Sequence, residues 1–209
     1  MILYAEQHWL SPYVFPVFVG LHEKGVRFET REIDVDRGAH LDPDFVARSL
    51  TAKIPVVEEG GFVLAESIAI VEWLEDRFVP PDHPRLLGET MQERARVRQV
   101  IAWLRSDLMK LREDRSTVTM FYDRATGPLS PGGRADADKL FAVADRVLPR
   151  DAATLVSKFS LADAELSFML HRLILNGDAV PDRLRAYAVA HFARPSIRAF
   201  VEHARAPRA

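Results

Sequence analysis

Ser11-Pro12-Tyr13 is the first of three short motifs whose residue types could do chemistry. It stands between a short apolar run and a helical pattern, where serine followed by proline is a favoured helix start. A helix cap is therefore one interpretation. The other is that the Ser11 hydroxyl, lying beside the unpaired amides of a helix N-terminus, donates a hydrogen bond to a bound thiolate.

The second motif is Lys53-Ile54-Pro55-Val56, which places proline at the start of a predicted strand. Proline is tolerated there because it cannot donate to a ladder, and an ordinary trans peptide is one interpretation. A cis Pro55 would instead turn the Ile54 backbone amide and carbonyl outward. They could then pair with a peptide-like ligand as an added strand would.

The third motif, Glu66-Ser67, lies between a predicted strand and a predicted helix. Ser67 is predicted to be the N-cap of that helix, and its hydroxyl and the helix amides would converge on an anion. Glu66 beside it would bind an ammonium group. A carboxylate receptor next to an ammonium receptor suits the zwitterionic end of an amino acid.

The elements that must position these motifs form a β-α-β unit followed by a β-β-α unit, which predicts a four-stranded mixed sheet with helices on its faces. The predicted elements are strands over 2–5, 28–34, 55–58 and 62–65, and helices over 12–24, 42–50 and 67–78. Pro16 lies inside the first helix, and its missing N–H predicts a distorted turn next to Ser11.

Three prolines in residues 79–84 end this pattern and predict a linker over 80–84 between a domain of residues 1–79 and a domain of residues 85–209. The second domain has only helical patterns. Residues 116–133 are predicted to form a long loop that covers a site.

The apolar spacing of the second domain predicts one long helix and several shorter ones. The long helix carries Val97, Ile101, Leu104, Leu108 and Leu111, and the others span 135–148, 161–175, 183–192 and 196–204. Ser160 and Asp163 predict a capping box at the start of a buried helix, with a role in folding.

Composition excludes several classes of function. The 209 residues carry a formal net charge of -2 and no cysteine, so disulfides, thiolate metal sites and a protein-thiol nucleophile are excluded. Balanced charge argues against a nucleic-acid partner, and the lack of a long apolar run argues against a membrane. The seven histidines show no metal-ligand spacing, so no metal is expected. We expect a cytoplasmic protein.

Taken in order, SPY, KIPVVEEGGFVLAES and IAIVEWLEDRF resemble the glutathione transferase superfamily. The stretches DVDRGAHL, AWLRSDLM and LILNGDAVP are most similar to its YfcF-type bacterial branch. The resemblance covers the whole chain. It implies an N-terminal α/β thioredoxin-like domain, a C-terminal all-α domain and a homodimer.

The resemblance also implies roles for the first two motifs. Ser11 would stabilise the sulfur of glutathione, with Tyr13 as the alternative residue. Ile54 would be the backbone partner of the glutathione cysteine, and Pro55 would be cis.

For the two ends of glutathione, the resemblance implies that Glu66 and Ser67 bind the γ-glutamyl group. His40 and Lys53 would contact the glycine carboxylate.

The pocket for a second substrate would lie on the helical domain, with Trp103, Asp107 and Arg115 as its residues. For Arg115 and the neighbouring charges the default interpretation is a solvated helix face.

The implied activity is that of a glutathione transferase, which directs the thiolate at an electrophile or an organic peroxide. Isomerisation would use the same glutathione site. Two alternatives are a non-catalytic interaction module and a ligandin-like carrier, because one fold can serve several functions.

Overall fold

The computed structural model describes residues 1–207 of the chain. They form two compact units. One comprises Met1–Arg85 together with the C-terminal segment that begins at Ala199, and the other comprises Leu86–Arg198.

The first unit is built on a four-stranded mixed sheet. Its strands are β1 (Ile2–Glu6), β2 (Glu29–Ile33), β3 (Val56–Glu59) and β4 (Phe62–Ala65), in the order β2-β1-β3-β4. β1 pairs in parallel with β2 and antiparallel with β3, which pairs antiparallel with β4. The predicted mixed sheet is confirmed.

The helices of this unit are α1 (Val14–Glu23), α2 (Pro43–Val46) and α3 (Ser67–Arg77), with a 3-10 turn at Ala39–Leu41. α1 and α3 pack against each other. Gly25 follows α1 with φ of 65°, the left-handed conformation in which glycine commonly ends a helix. The predicted thioredoxin-like architecture is confirmed.

The C-terminal segment of the first unit packs on Trp9, whose side chain is fully buried. The Trp9 ring stacks on His203 with 3.8 Å between centroids and meets Phe200 edge-on at 5.8 Å. Helical periodicity alone gives no sign of this packing, because it depends on an aromatic residue near the opposite end of the chain.

The second unit is all helix, as predicted. It contains α4 (Met91–Ser106), α5 (Met109–Asp114), α6 (Thr117–Phe121), α7 (Pro131–Val147), α8 (Leu161–Ile174), α9 (Asp182–Phe192) and the start of α10 (Pro195–Val201).

The prediction of one long helix through Leu111 is wrong, because the helix ends at Ser106 and restarts at Met109. Leu108 between them has φ of 63° and is buried. One carboxylate oxygen of Asp136 accepts hydrogen bonds from the first amides of the new helix, at 2.9 Å and 3.1 Å. A side chain of another helix thus satisfies the amides that the break exposes.

The long loop predicted over residues 116–133 is interrupted by α6 and ends early at α7. Ser130 Oγ accepts a hydrogen bond from the Gly133 amide at 3.0 Å, and Pro131 occupies the first turn. Serine at the N-cap followed by proline in the first turn is a favoured helix start. α7 therefore begins four residues before the predicted helix.

The predicted capping box at the start of α8 is confirmed. Asp163 accepts hydrogen bonds from the Ser160 amide and hydroxyl, both at 2.8 Å. It also accepts one from the Leu155 amide at 2.7 Å and one from the Tyr187 hydroxyl at 2.8 Å. Asp163 is fully buried, and its carboxylate joins the start of α8 to α9 and to the segment that precedes α8.

Candidate functional site

Ser11 lies where β1 gives way to α1, and its hydroxyl oxygen meets the first amides of that helix. Ser11 Oγ accepts hydrogen bonds from the backbone nitrogens of Tyr13 and Val14, both at 3.2 Å. Because the oxygen accepts in both bonds, the hydroxyl hydrogen remains for donation to another group. The helix amides behind it also favour negative charge at this point.

Pro16 does not distort α1, so that prediction is wrong. The helix begins at Val14, which makes Pro16 its third residue. The first four N–H groups of a helix have no intrahelical acceptor, and the missing N–H of proline removes no hydrogen bond there. The Phe15 amide still donates to the Ser11 carbonyl at 3.2 Å.

Glu6 is a buried acid beneath this loop that the sequence motifs do not reveal. Its Oε1 accepts hydrogen bonds from the backbone amides of Leu10 and Ser11, the second at 2.6 Å. Burial raises the pKa of the Glu6 carboxyl, although these hydrogen bonds oppose the shift. The sequence offers only one sign that Glu6 is buried, which is that it directly follows a run of apolar strand residues.

The Ile54–Pro55 peptide is cis. β3 begins only at Val56, so the Ile54 amide and carbonyl lie outside the register of the sheet. The buried Ser49 hydroxyl fixes the preceding residue: it donates to the Lys53 carbonyl at 2.8 Å and accepts from the Lys53 amide at 2.9 Å. The Ser49 side chain therefore holds in place the backbone that leads into Ile54 and β3.

Glu66 and Ser67 meet at the start of α3, but their positions differ by one residue from the prediction. Ser67 is the first helical residue, and Glu66 occupies the N-cap position. Glu66 has φ of 68° and ψ of 113°, a conformation that non-glycine residues rarely adopt. Thr51 Oγ1 donates to Glu66 Oε1 at 3.1 Å. Rare backbone conformations of this kind cluster at ligand sites.

Two cavities in the first unit bring the predicted binding residues together. One, of about 240 Å³, is lined by Tyr13, Lys53, Ile54, Pro55, Glu66 and Ser67. The other, of about 250 Å³, is lined by Ser11, Tyr13, Val35, His40, Ala52, Lys53 and Ile54. Three residues line both, so the cavities adjoin, and together they contain every glutathione-binding and sulfur-stabilising residue that the sequence predicts.

The charges of the two cavities differ from end to end. Glu66 brings a carboxylate to the end that also contains the start of α3. His40 lies at the other end, where its Nδ1 is buried and has no hydrogen-bond partner within residues 1–207, and Lys53 lines both cavities. A buried nitrogen without a protein partner is available to form a hydrogen bond with a ligand or with water.

Trp103 and Asp107 line a separate cavity of about 600 Å³ between α4 and α7 of the helical unit. Its residues are Arg96, Gln99, Val100, Trp103, Asp107, Lys139, Val143, Arg146 and Val147. Trp103 Nε1 donates to Asp107 Oδ2 at 3.1 Å, and Lys139 forms an ion pair with the same carboxylate. Hydrogen bonds from Lys139 and from the Leu108 amide lower the pKa of the Asp107 carboxyl.

Arg115 does not line the cavity that contains Trp103 and Asp107, and it does not lie on a solvated helix face either. Its side chain is only 4% exposed and forms a two-bond ion pair with Asp178, at 2.6 Å and 2.9 Å. It also donates to the Asp114 and Gly127 carbonyls, at 3.1 Å and 2.9 Å. Its three guanidinium nitrogens are thus used inside the helical unit, so Arg115 is structural and is withdrawn from the second-substrate pocket.

Residues 1–207 lack the features of two other classes of site. No group of three or more histidine, aspartate or glutamate residues there is arranged to hold a metal ion. None of the helices in this range combines the length and apolar character needed to cross a bilayer.

Family models match both halves of the chain. A model described as glutathione S-transferase, N-terminal domain, matches residues 10–77, and one described as glutathione S-transferase, C-terminal domain, matches residues 90–205. Among curated proteins, glutathione S-transferase 1 of Dianthus caryophyllus is 38% identical over 41% of this chain, and glutathione S-transferase theta-1 of Bos taurus is 28% identical over 70% of it. These matches span only 38% and 63% of the two relatives' own lengths.

Solved structures match over nearly the whole chain. A glutathione transferase homologue from Burkholderia, with bound glutathione, is 30% identical with a TM-score of 0.79, and the match covers 96% of each chain. A maleylacetoacetate isomerase from Methylobacterium matches with a TM-score of 0.72 at 22% identity, also over 96% of this chain and 95% of its own, and at that identity the likeness is one of fold alone.

Proposed function

Because the chain belongs to the glutathione S-transferase family, we propose that it binds glutathione, stabilises its thiolate and directs that thiolate at an electrophile or an organic peroxide. One observation carries the proposal. The eight residues that the motifs and the resemblance select for glutathione line two adjoining cavities of one unit. The Burkholderia homologue, which holds bound glutathione, supports it.

The γ-glutamyl end of glutathione binds at Glu66 and Ser67. The ligand carboxylate accepts hydrogen bonds at the N-terminus of α3, where helix amides favour negative charge. The ligand ammonium group pairs with the Glu66 carboxylate, which lines the same cavity. The unusual backbone conformation of Glu66 directs this side chain and the first amides of α3 to one place.

The cysteinyl part of glutathione pairs with the backbone of Ile54, beside cis Pro55. Ligand amide and carbonyl groups add to the sheet there as a short strand would. The glycine carboxylate then reaches His40 and Lys53 in the second cavity. The unsatisfied Nδ1 of His40 gains a partner in this arrangement.

The sulfur lies at Ser11, which makes this a serine-type enzyme in our proposal, similar to the YfcF-type bacterial branch. A thiol with an ordinary pKa of about 8.5 is mostly protonated at pH 7, and each unit of lowering represents about 1.4 kcal/mol. A hydrogen bond to a charged group contributes about 1.5–3 kcal/mol, enough for one to two units. Tyr13, which lines both cavities, is the alternative donor.

The chain contains no cysteine, so the reactive sulfur must come from glutathione. A mixed disulfide between glutathione and the protein cannot form. The proposed reactions are therefore those in which the glutathione thiolate itself attacks: conjugation to an electrophilic carbon, or displacement at a peroxide oxygen.

We assign the second substrate to the helical unit, with Trp103 and Asp107 as its residues. A Trp103→Ala enzyme should raise the KM for the electrophile while leaving the KM for glutathione near that of the wild type. We further propose that the protein is a cytoplasmic homodimer that acts in detoxification or against oxidative stress. Sedimentation tests the oligomeric state directly.

Calorimetry with glutathione, followed by turnover assays, tests this proposal. Binding together with turnover of a model aryl halide or of cumene hydroperoxide would support the enzyme and separate conjugation from peroxide reduction. Binding without turnover would favour a ligandin-like carrier. No heat at millimolar glutathione would favour an interaction module.

A further inference from the structure

Glu6 is a buried acid at the end of an apolar strand, beneath the Ser11 loop. It ends β1, in which the three preceding residues Leu3, Tyr4 and Ala5 are all buried, and it is itself only 6% exposed. Its Oε2 is buried and has no hydrogen-bond partner within residues 1–207. Placing a carboxyl group in such a position is costly, so it requires a compensating role.

The hydrogen bonds of Glu6 identify that role. Oε1 accepts from two consecutive backbone amides, those of Leu10 and Ser11. The Ser11 hydroxyl in turn accepts from the Tyr13 and Val14 amides. Ser11 is therefore fixed twice: its backbone is held by Glu6, and its side chain is held by the start of α1.

We propose that Glu6 is a positioning residue for the thiolate site, holding the Leu10–Ser11 backbone so that the Ser11 hydroxyl is aimed at the glutathione sulfur. This inference rests on the proposed function. Glu6 acts through Ser11 and needs no contact with the ligand. A catalytic hydrogen bond requires placement within about 0.5 Å, which a loop alone does not provide.

The acceptor atom, rather than the charge, is what this role needs. A neutral carboxyl or an amide offers the same carbonyl-type oxygen to the two N–H groups. Burial raises the pKa of the Glu6 carboxyl, whereas the two backbone hydrogen bonds and the neighbouring His8 oppose that shift. Glu6→Gln therefore keeps the positioning oxygen, Glu6→Asp withdraws it by one methylene group, and Glu6→Leu removes it.

The test is the pKa of the thiol of enzyme-bound glutathione, measured from the ultraviolet absorbance of the thiolate. In Glu6→Leu this pKa should rise by about one unit, which is a tenfold loss of thiolate well below the pKa. Glu6→Gln should stay within about 0.3 units of the wild type, and Glu6→Asp should lie between the two. The Kd for S-methylglutathione, which has no thiol, should change less than about twofold, or by about 0.4 kcal/mol.

A double-mutant cycle with Ser11→Ala separates positioning from general damage. If Glu6 acts through the Ser11 hydroxyl, Glu6→Leu causes no further shift in the Ser11→Ala background. An equal shift in both backgrounds would overturn the proposal, as would a wild-type thiol pKa in a folded Glu6→Leu protein. If Glu6→Leu fails to fold, Glu6→Asp replaces it in the same cycle. A wild-type protein that binds no glutathione would instead overturn the proposed function.

Discussion

Ser11 Oγ lies 3.2 Å from the backbone nitrogen of Val14 and accepts its hydrogen bond. Tyr13 occupies the N-cap position of α1, but the Ser11 oxygen accepts from the first amides of the helix and its hydrogen is still available. The structural and the chemical interpretations of the Ser11 motif are therefore compatible. The structural role fixes the oxygen, and the fixed oxygen can then serve a ligand.

Replacement of Ser11 by alanine should weaken thiolate stabilisation more than binding. The pKa of the bound glutathione thiol should rise by one to two units because a hydrogen bond to charged sulfur, of about 1.5–3 kcal/mol, is lost. Turnover at neutral pH should fall about tenfold or more. Steady-state kinetics and thiolate absorbance measure the two effects.

Tyr13→Phe is the matched control for that variant, because it removes a nearby hydroxyl but keeps the backbone amide that donates to Ser11. With Ser11 as the donor to sulfur, Tyr13→Phe retains the wild-type thiol pKa. The reverse pattern, with the loss in Tyr13→Phe and none in Ser11→Ala, would place the phenol at the sulfur.

Glu66→Gln should reduce affinity for glutathione about 5- to 15-fold, because a charged hydrogen bond of about 1.5–3 kcal/mol with the ligand ammonium group becomes a neutral one of about 0.5–1.5 kcal/mol. Calorimetry with a glutathione analogue that lacks the α-amino group provides the control. The wild type should discriminate against this analogue, and Glu66→Gln should not. Equal discrimination by both proteins would remove Glu66 from the ammonium site.

Lys24→Met should destabilise the first unit strongly. Lys24 Nζ lies 2.7 Å from Glu75 Oε1, both side chains are buried, and the same nitrogen donates to the Phe78 and Pro84 carbonyls at 2.9 Å and 2.8 Å. Removing one partner of a buried ion pair costs about 3–5 kcal/mol in the free energy of unfolding. Urea denaturation measures it.

Lys139→Met is the control for Lys24→Met, since Lys139 pairs with Asp107 at a site where the lysine side chain is 51% exposed. Exposed pairs of this kind contribute about 0–1 kcal/mol. Similar losses in the two variants would show that the burial of the Lys24 pair has no special effect.

His171 should make the helical unit less stable in acid. Burial lowers its pKa from 6.5 to about 4, and its ring stacks on Phe192 with 3.5 Å between centroids. Because the folded-state pKa lies below the unfolded one, its contribution is complete above pH 6.5 and declines as the pH falls towards 4. The shift corresponds to about 3 kcal/mol.

The measurement is the difference in free energy of unfolding between the wild type and His171→Gln as a function of pH. This difference should decrease as the pH is lowered from 6.5 to 4, and it should be constant above pH 6.5. Titratable groups that the two proteins share cancel in the difference. A difference that is constant with pH would contradict the assignment to His171.

The local structure at the proposed glutathione site could be predicted from the sequence because the parts of that site are local motifs. Ile54-Pro55 and Glu66-Ser67 each lie at the end or start of one element, so neighbouring residues in the chain determine their backbone geometry. The mixed sheet was predictable for the same reason, since alternating strand and helix patterns specify it.

The features that the sequence did not predict depend on partners that are distant in the chain. Arg115 is buried by Asp178, 63 residues away, and no spacing rule connects them. The helix break at Leu108 relies on Asp136, and only the fold brings that carboxylate to the exposed amides. A charged residue on a helical pattern is predicted by default to be exposed to solvent. Arg115 departs from that prediction because its ion pair with Asp178 lies inside the helical unit.

The pKa of the thiol of glutathione bound to the wild-type protein tests the central claim most directly. Calorimetry first sets a saturating concentration, and thiolate absorbance is then followed as the pH is raised. We predict saturable binding and a bound-thiol pKa at least one unit below the free value of about 8.5. Bound glutathione that titrates as the free thiol does, or no binding at millimolar concentration, would contradict the account.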